Sequence, residues 1–465
     1  MQEEHLLGFT RVFCRAVRVG APASEAGRAE LPRRARGRDL AVALLLGRVA
    51  LVVSIATVRA SPAADAFGAR YLPFSILRDG ILMLDPILAT VAQGRKPPTV
   101  QGKADTAFWI VKGNDGHFVS LYPVVVPLLI APLYLPAVAY LEDRGWDPLL
   151  FDRVALVMEK LSASLIAALS VALLYLLLRR RSAPPLAALL SLVYAFGTTT
   201  WVISSQALWQ HGLAQLLIVA TLLLLTGRQT ATRVLAVVFL CGLIAANRQP
   251  DAILAAGLGL YALWWAGRRF PLLAAGAALP VGLVVAYNLG YVGHIAGGYG
   301  LMAKPAHYGG ALLEGLAGLL FSPARGLFVF SPFLLFVPCC LALVLRDRAS
   351  RGLTVALGLA MVVQVIGYGL VDWRQGQSWG PRGRTDLLPL LLWMLPPVVA
   401  GLRRPGRALF ALACGAAIVI QGIGAFWYTN QVDTALFANG GLEGTAPFWK
   451  MGNAPFIAAL RYPPA

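Results

Sequence analysis

Long apolar runs recur along the chain, separated by short polar loops in which arginine dominates. At about 1.5 Å per residue, a helix of about 20 apolar residues crosses a hydrocarbon core. The pattern predicts a first such helix over 40–58, with Arg48 near its middle. A charge there is expensive in lipid, so Arg48 is expected to face other helices or water. Ten further candidate runs cover 154–178, 186–203, 213–226, 234–246, 253–266, 272–292, 327–345, 353–371, 387–402 and 408–427. Residues 1–38 are Arg-rich and contain no apolar core of signal-peptide length, so they read as a disordered cytoplasmic tail. A mixed segment, 59–117, carries Asp65, Asp79, Asp85, Asp105 and Asp115. Residues 118–141 are apolar but hold Pro123, Pro127, Pro132 and Pro136, a density that argues against a regular lipid-facing helix.

The basic loops set a topology. If 118–141 only dips into the membrane, Arg179–Arg181, Arg228 with Arg233, Arg268 with Arg269, and the clusters at 346–351 and 403–407 all fall on the side of the N-terminal tail. That gives an all-α polytopic fold of about 11 transmembrane helices obeying the positive-inside rule, and a crossing at 118–141 would invert the later clusters. The expected organisation is a tail (1–38), a transmembrane domain (39–427) with a first outer loop containing juxtamembrane helices (59–153), and an outer C-terminal tail (428–465). Outward-facing chain is then 59–153, 204–212, 247–251, 293–326, 372–384 and the C-terminal tail.

Composition agrees: of 465 residues, 58% are hydrophobic and 13% charged, about half the charged share of a soluble protein. Forty Lys+Arg against 22 Asp+Glu give +18. In this setting the excess marks loops on one side of a membrane, and nucleic acid is not an expected partner. Cys14, Cys241, Cys339, Cys340 and Cys414 show no CxxC spacing, so neither a metal site nor a disulfide framework is expected. No Walker loop, HExxH, GxSxG or dinucleotide fingerprint is present, and no cofactor or divalent metal is indicated.

Candidate chemistry lies in the outward segments. Asp65, just beyond the first helix, could accept a proton from a hydroxyl, or could simply cap a turn. The loop 372–386 holds Arg374, Arg382 and Arg384 against the positive-inside bias. Guanidinium forks bind phosphate through paired hydrogen bonds, and the alternative is pairing with Asp372, Asp386 or lipid headgroups. Arg325 is a second candidate for an anionic headgroup, with snorkelling as the alternative. His211, in Trp209-Gln210-His211-Gly212, could donate to a phosphate or sugar or serve with Trp209 as an interfacial anchor. Arg248 and Asp251 suit an intramembrane ion pair or a substrate contact.

Several segments together resemble the GT-C integral-membrane glycosyltransferases, which include the protein O-mannosyltransferases. They are Asp65 to Tyr71 after the first helix; Gly116-His-Phe-Val-Ser-Leu-Tyr-Pro123 running into Ala131-Pro132-Leu-Tyr134; Tyr194-Ala-Phe-Gly-Thr-Thr-Thr-Trp201 with Leu208-Trp-Gln-His-Gly212; Arg325-Gly-Leu-Phe-Val-Phe-Ser-Pro332; and Trp379-Gly-Pro-Arg382. The resemblance implies that Asp65 is the catalytic base. Beside it, the chemistry of their side chains makes Arg382, Arg384, Arg325 and His211 the expected ligands of the donor phosphate, and Arg70, Tyr122 and Trp379 are candidates for the substrate site. Family members often carry an acidic residue or lysine beside the YP turn. Here Ser120-Leu121-Tyr122 stands there, leaving Asp105 or Asp115 as substitutes. The implied activity is inverting transfer of a sugar from a polyprenyl-phosphate carrier to a glycan, lipid or protein hydroxyl, in the cell inner (plasma) membrane, with the N-terminus cytoplasmic and the C-terminus outside. The rivals are a transporter or flippase of lipid-linked envelope intermediates, suggested by Arg48, Glu159, Lys160, Arg248 and Asp251, and a non-catalytic envelope scaffold.

Overall fold

The computed structural model describes residues 33–57, 64–94, 109–267, 271–302, 311–348, 350–374, 376–429, 432–433, 436–437 and 444–461. Most of the expected N-terminal tail and Asp105 lie outside the described residues. The described chain is mostly helical, with one two-stranded antiparallel hairpin, β1 (Ile110–Lys112) and β2 (Phe118–Ser120), in register Val111 to Val119.

In chain order the helices that build the core are α1 (Arg33–Ala56), α2 (Phe67–Asp79), α3 (Asp85–Gly94), α4 (Val125–Ile130), α5 (Leu135–Arg144), α6 (Pro148–Leu178), α7 (Pro184–Phe196), α8 (Gln210–Leu225), α9 (Ala231–Asn247), α10 (Ala252–Ala266) and α11 (Pro271–Tyr287). They continue with α12 (Gly298–Met302), α13 (Leu312–Phe321), α14 (Arg351–Gly369), α15 (Leu388–Gly401) and α16 (Arg404–Trp427). Among the described residues five segments are long and apolar enough to cross a membrane: Gly37–Ala56, Val125–Arg144, Pro148–Leu178, Arg351–Gly369 and Arg404–Trp427. Shorter apolar helices accompany them, an arrangement compatible with a multi-pass membrane protein.

α6 is the hub, its most apolar stretch 67% buried against 33% for the corresponding stretches in α1 and α16. The outer helices therefore present leucine and valine outward, as Leu44, Val52, Leu412 and Val419 do. Such surfaces suit lipid. α1 meets α6 along a seam of small residues, Ala43, Gly47 and Ala50 on one side and Ala168 and Ala172 on the other. A Cβ at Gly47 would stand 3.2 Å from the Ala168 carbonyl and 3.3 Å from the Ala172 methyl, so glycine allows the close approach. Arg48, next along the chain, is exposed.

Proline shapes two further segments. From Val125 to Arg144, α4, a 3-10 turn (Ala131–Tyr134) and α5 form one helical run, with Pro132 and Pro136 near the start of the turn and of α5, where a missing N–H is harmless. The run 327–345, expected as a single span, is instead four short helical pieces, with Pro332 opening the second and Pro338 inside the third. Nor is the chain after 427 a loose tail throughout. Phe448 packs against Trp373, and Ala458 and Ala459 join the cluster around Trp379 and Phe330.

Loop partners divide between two ends of the bundle. At one end Asp39 of α1 pairs with Arg179, and Arg181 with Asp347. At the other, Asp65 meets Arg382, Arg248 meets Asp386, Tyr122 meets Tyr299 and Arg325 meets Asp433.

Candidate functional site

Asp65 and Arg382, 317 residues apart, are joined by an ion pair of 2.6 Å between Nη1 and Oδ2. Each is only partly exposed, at 25% and 17%. Asp65 sits in a single 3-10 turn, Ala64–Ala66, leading into α2. α2 is pinned by the fully buried Arg70, whose Nε donates to Glu159 of α6 at 2.6 Å, and by the Tyr71 hydroxyl donating to Asp152 at 3.1 Å. Arg382 opens a 3-10 turn, Arg382–Leu387, and lies over the Trp209 ring at 4.4 Å. Gly380 two residues earlier has φ +49°, and a Cβ there would collide with the Phe330 ring, so glycine permits the bend that presents Arg382.

The same turn carries Asp386, buried and central to a second network. His211, in the first turn of α8, places Nδ1 2.8 and 3.0 Å from the two Asp386 oxygens. Arg248, at the C-terminal end of α9, bridges Asp386 at 3.1 Å and Asp251 at 3.0 Å. Asp251 in turn accepts from Gln364 of α14 at 2.8 Å. The turn is held by Gln215, which donates to the Thr385 carbonyl, and by the hydroxyl pair Thr199 with Thr385. His211 of α8 and Arg248 at the end of α9 thus both reach one buried carboxylate. Such a group is tolerated inside a protein only when paired and hydrogen-bonded.

Arg384 and Arg325 are both fully buried and have opposite surroundings. Arg325 donates to Asp433 at 3.1 Å and to the carbonyls of Arg374, Gly376 and Ala324, tying the 372–376 loop to the C-terminal segment. Its Nε, Nη1 and Nη2 all donate to protein acceptors. Arg384 donates from Nη2 to the Arg325 carbonyl at 3.0 Å, while its Nε and Nη1 have no partner among the described residues. Two donor groups of this buried guanidinium are thus without a described protein acceptor.

A mostly apolar pocket of about 140 Å³ opens beside this polar group. Ala245 and Ala246 of α9 and Val281, Val284 and Val285 of α11 line it, and Tyr122 and Tyr299 close it. These tyrosines meet edge to face with centroids 5.6 Å apart, and both also interact with Asp65 and Arg382. The two tyrosines therefore stand between the pocket and the charged cluster, whose charged side chains do not line it.

The remaining candidates lie elsewhere. Trp379 is fully buried against Phe330 and Tyr428 with its Nε1 donating to Gln421 at 3.1 Å, a support beneath the loop. Asp115 is exposed in the turn between β1 and β2. Asp85 accepts from the Phe118 amide at 3.0 Å. Arg374 forms a two-pronged pair with Asp372 at 2.8 and 2.9 Å. Partial burial raises the Asp372 carboxyl, but the hydrogen bonds and charge of Arg374 outweigh it and hold the group below its ordinary value. Among the described residues no group of three His, Cys, Asp or Glu side chains gathers as metal ligands would.

Sequence reasoning missed Tyr299 altogether and took Asp386 only as a possible partner for a neighbouring arginine. A tyrosine in a Gly-rich loop carries no spacing signal, and a lone carboxylate opening an apolar run looks like a helix cap. No family model, no curated protein and no solved structure matches this chain.

Proposed function

We propose that the chain is an inverting glycosyltransferase that moves a sugar from a polyprenyl-phosphate carrier to a hydroxyl acceptor on the outer face of the membrane. The observation that carries the reading is the contact between Asp65 and Arg382, which unites the carboxylate beyond the first helix with the arginine loop near the far end of the chain. The apolar pocket behind Tyr122 and Tyr299, which both interact with Asp65 and Arg382, suits the first part of the prenyl tail of a donor arriving from the lipid. In this reading the membrane is the inner (plasma) membrane, crossed about 11 times, with the N-terminus cytoplasmic and the C-terminus outside.

The chemistry follows from the pair. A phosphate arriving at Arg382 competes with Asp65 for the guanidinium and leaves the carboxylate free beside the reacting centre. The acceptor oxygen attacks the anomeric carbon from the face opposite the phosphate, and its proton passes to Asp65. The bond between that carbon and the phosphate oxygen breaks, with the electron pair remaining on phosphate. Arg382 and the open edge of Arg384 stabilise the charge that grows there. A phosphate leaving group of this kind requires no separate acid.

Purified protein incubated with a polyprenyl-phosphate hexose and a hydroxyl acceptor should release polyprenyl phosphate, and Asp65→Asn should not. Lipid binding without release in the wild-type chain would contradict the reading and point to the transporter. Mass spectrometry of envelope glycans after deletion of the gene would then identify the sugar.

A further inference from the structure

His211 is one of five histidines, and it is buried among charges. A neutral imidazole carries one N–H and one lone pair, and which nitrogen has which is set by the partner of the other. Here Nδ1 stands 2.8 Å from Asp386 Oδ2, and that same oxygen receives Arg248 at 3.1 Å. A carboxylate paired with a guanidinium is ionised and can only accept. Nδ1 must therefore donate, which leaves Nε2 with the lone pair. No described residue hydrogen-bonds to Nε2. Arg248 and Arg382 both act on the ring, so the site already holds the positive charges a phosphate needs. What the guanidinium groups lack is an acceptor.

We infer that His211 binds a hydroxyl group of the carbohydrate through Nε2, and that Asp386 is the positioning residue that fixes this polarity. The identity of the ligand as a carbohydrate rests on the proposed function; the polarity of the ring does not. The inference reverses the expectation that His211 donates to the phosphate. A phosphate oxygen has no hydrogen to give to a lone pair, whereas a sugar hydroxyl does. The substrate is then divided between two sets of residues: Arg382 and Arg384 hold phosphate, and the histidine selects a donor sugar with a hydroxyl at the matching position. Trp209, two residues before His211 and stacked on Arg382, keeps the two sets adjacent.

The test uses full-length protein in lipid nanodiscs with ¹⁵N-labelled histidine, the His211 signals being those lost in His211→Gln. At neutral pH the wild-type ring should be neutral with its proton on Nδ1. A proton on Nε2, or on both nitrogens, overturns the inference. Adding a polyprenyl phosphate that bears a hexose should shift the Nε2 resonance, and bare polyprenyl phosphate should leave it in place. Equal shifts with both lipids, or with neither, also overturn it.

Two variants supply a reading that a merely structural histidine would not give. His211→Asn can keep a donor toward Asp386 but loses the outer acceptor, so glycolipid binding should weaken about 3- to 10-fold. His211→Gln places an amide oxygen near Nε2 and should stay closer to wild type. Equal weakening in both, accompanied by lowered thermal stability in both, contradicts the inference. None of these readings requires sugar transfer. If the ring and the lipids behave as stated while no transfer is ever seen, the proposed function fails and the ligand assignment of His211 stands.

Discussion

The two ends of the helix bundle use arginine differently. At the end holding Arg179, Arg180, Arg181, Arg351 and Arg407, guanidinium groups bond main-chain carbonyls, among them Leu223, Trp393, Leu345 and Ala400. Leu223 and Ala400 lie in the last turns of α8 and α15, where carbonyls lack helical partners and a cation is favoured. Several of these arginines are exposed. At the other end Arg70, Arg325 and Arg384 are fully buried, and Arg70, Arg248, Arg325 and Arg382 all bond carboxylates. Carboxylate pairing occurs at both ends, Arg179 with Asp39 and Arg181 with Asp347 at the first; what sets the second apart is complete burial of Arg70, Arg325 and Arg384. Loop charge says nothing of this difference, because it counts arginines and not their surroundings.

The comparison breaks most sharply at Asp65. Asp65→Asn should lower transfer by roughly 10²- to 10⁴-fold, the range of general-base help. Folding should be retained, as judged by size-exclusion behaviour and thermal melting of purified protein. Next in size is the contrast between the two buried arginines of the site end. Arg325→Met leaves Asp433 buried and unpaired, and should cost about 3–5 kcal/mol in a reversible unfolding measurement. Arg384→Met removes a guanidinium with no carboxylate partner, so the melting temperature should hold or rise while donor binding weakens about 10- to 100-fold. Equal destabilisation by the two would show that burial alone, and not pairing, distinguishes them.

Much of the helical framework could be read from the sequence, because length and apolarity report directly on spanning segments. α1, α6, α14 and α16 fall close to the expected runs. The broken region after Arg325 could not be read that way. Its apolar residues satisfy the hydropathy pattern while Pro332 and Pro338 interrupt the hydrogen-bond ladder. In the site, Asp65 and Arg382 were singled out separately, and their contact spans 317 residues that no local spacing connects. Asp386 was harder still, since its importance lies in the three side chains around it and not in its own neighbours along the chain.

Smaller effects sharpen the comparison. Arg382→Lys keeps the charge but loses the planar fork, and should weaken donor use about tenfold in steady-state kinetics. At the opposite end, Arg407→Gln removes an exposed group whose contact with the Ala400 carbonyl is 3.5 Å. Stability should change by less than about 0.5 kcal/mol, and donor affinity not at all. A loss of transfer in that variant would show that the two ends are coupled.

The central claim is that Asp65 and the arginines of the 382–384 turn surround one lipid headgroup. A structure determined with a non-transferable polyprenyl-phosphonate sugar tests it most directly. The account predicts the phosphonate against Arg382 and the open edge of Arg384, the first part of the chain in the pocket beside Tyr122 and Tyr299, and Asp65 released from Arg382 toward the anomeric carbon. A headgroup bound elsewhere, with the pair between Asp65 and Arg382 intact, would contradict it.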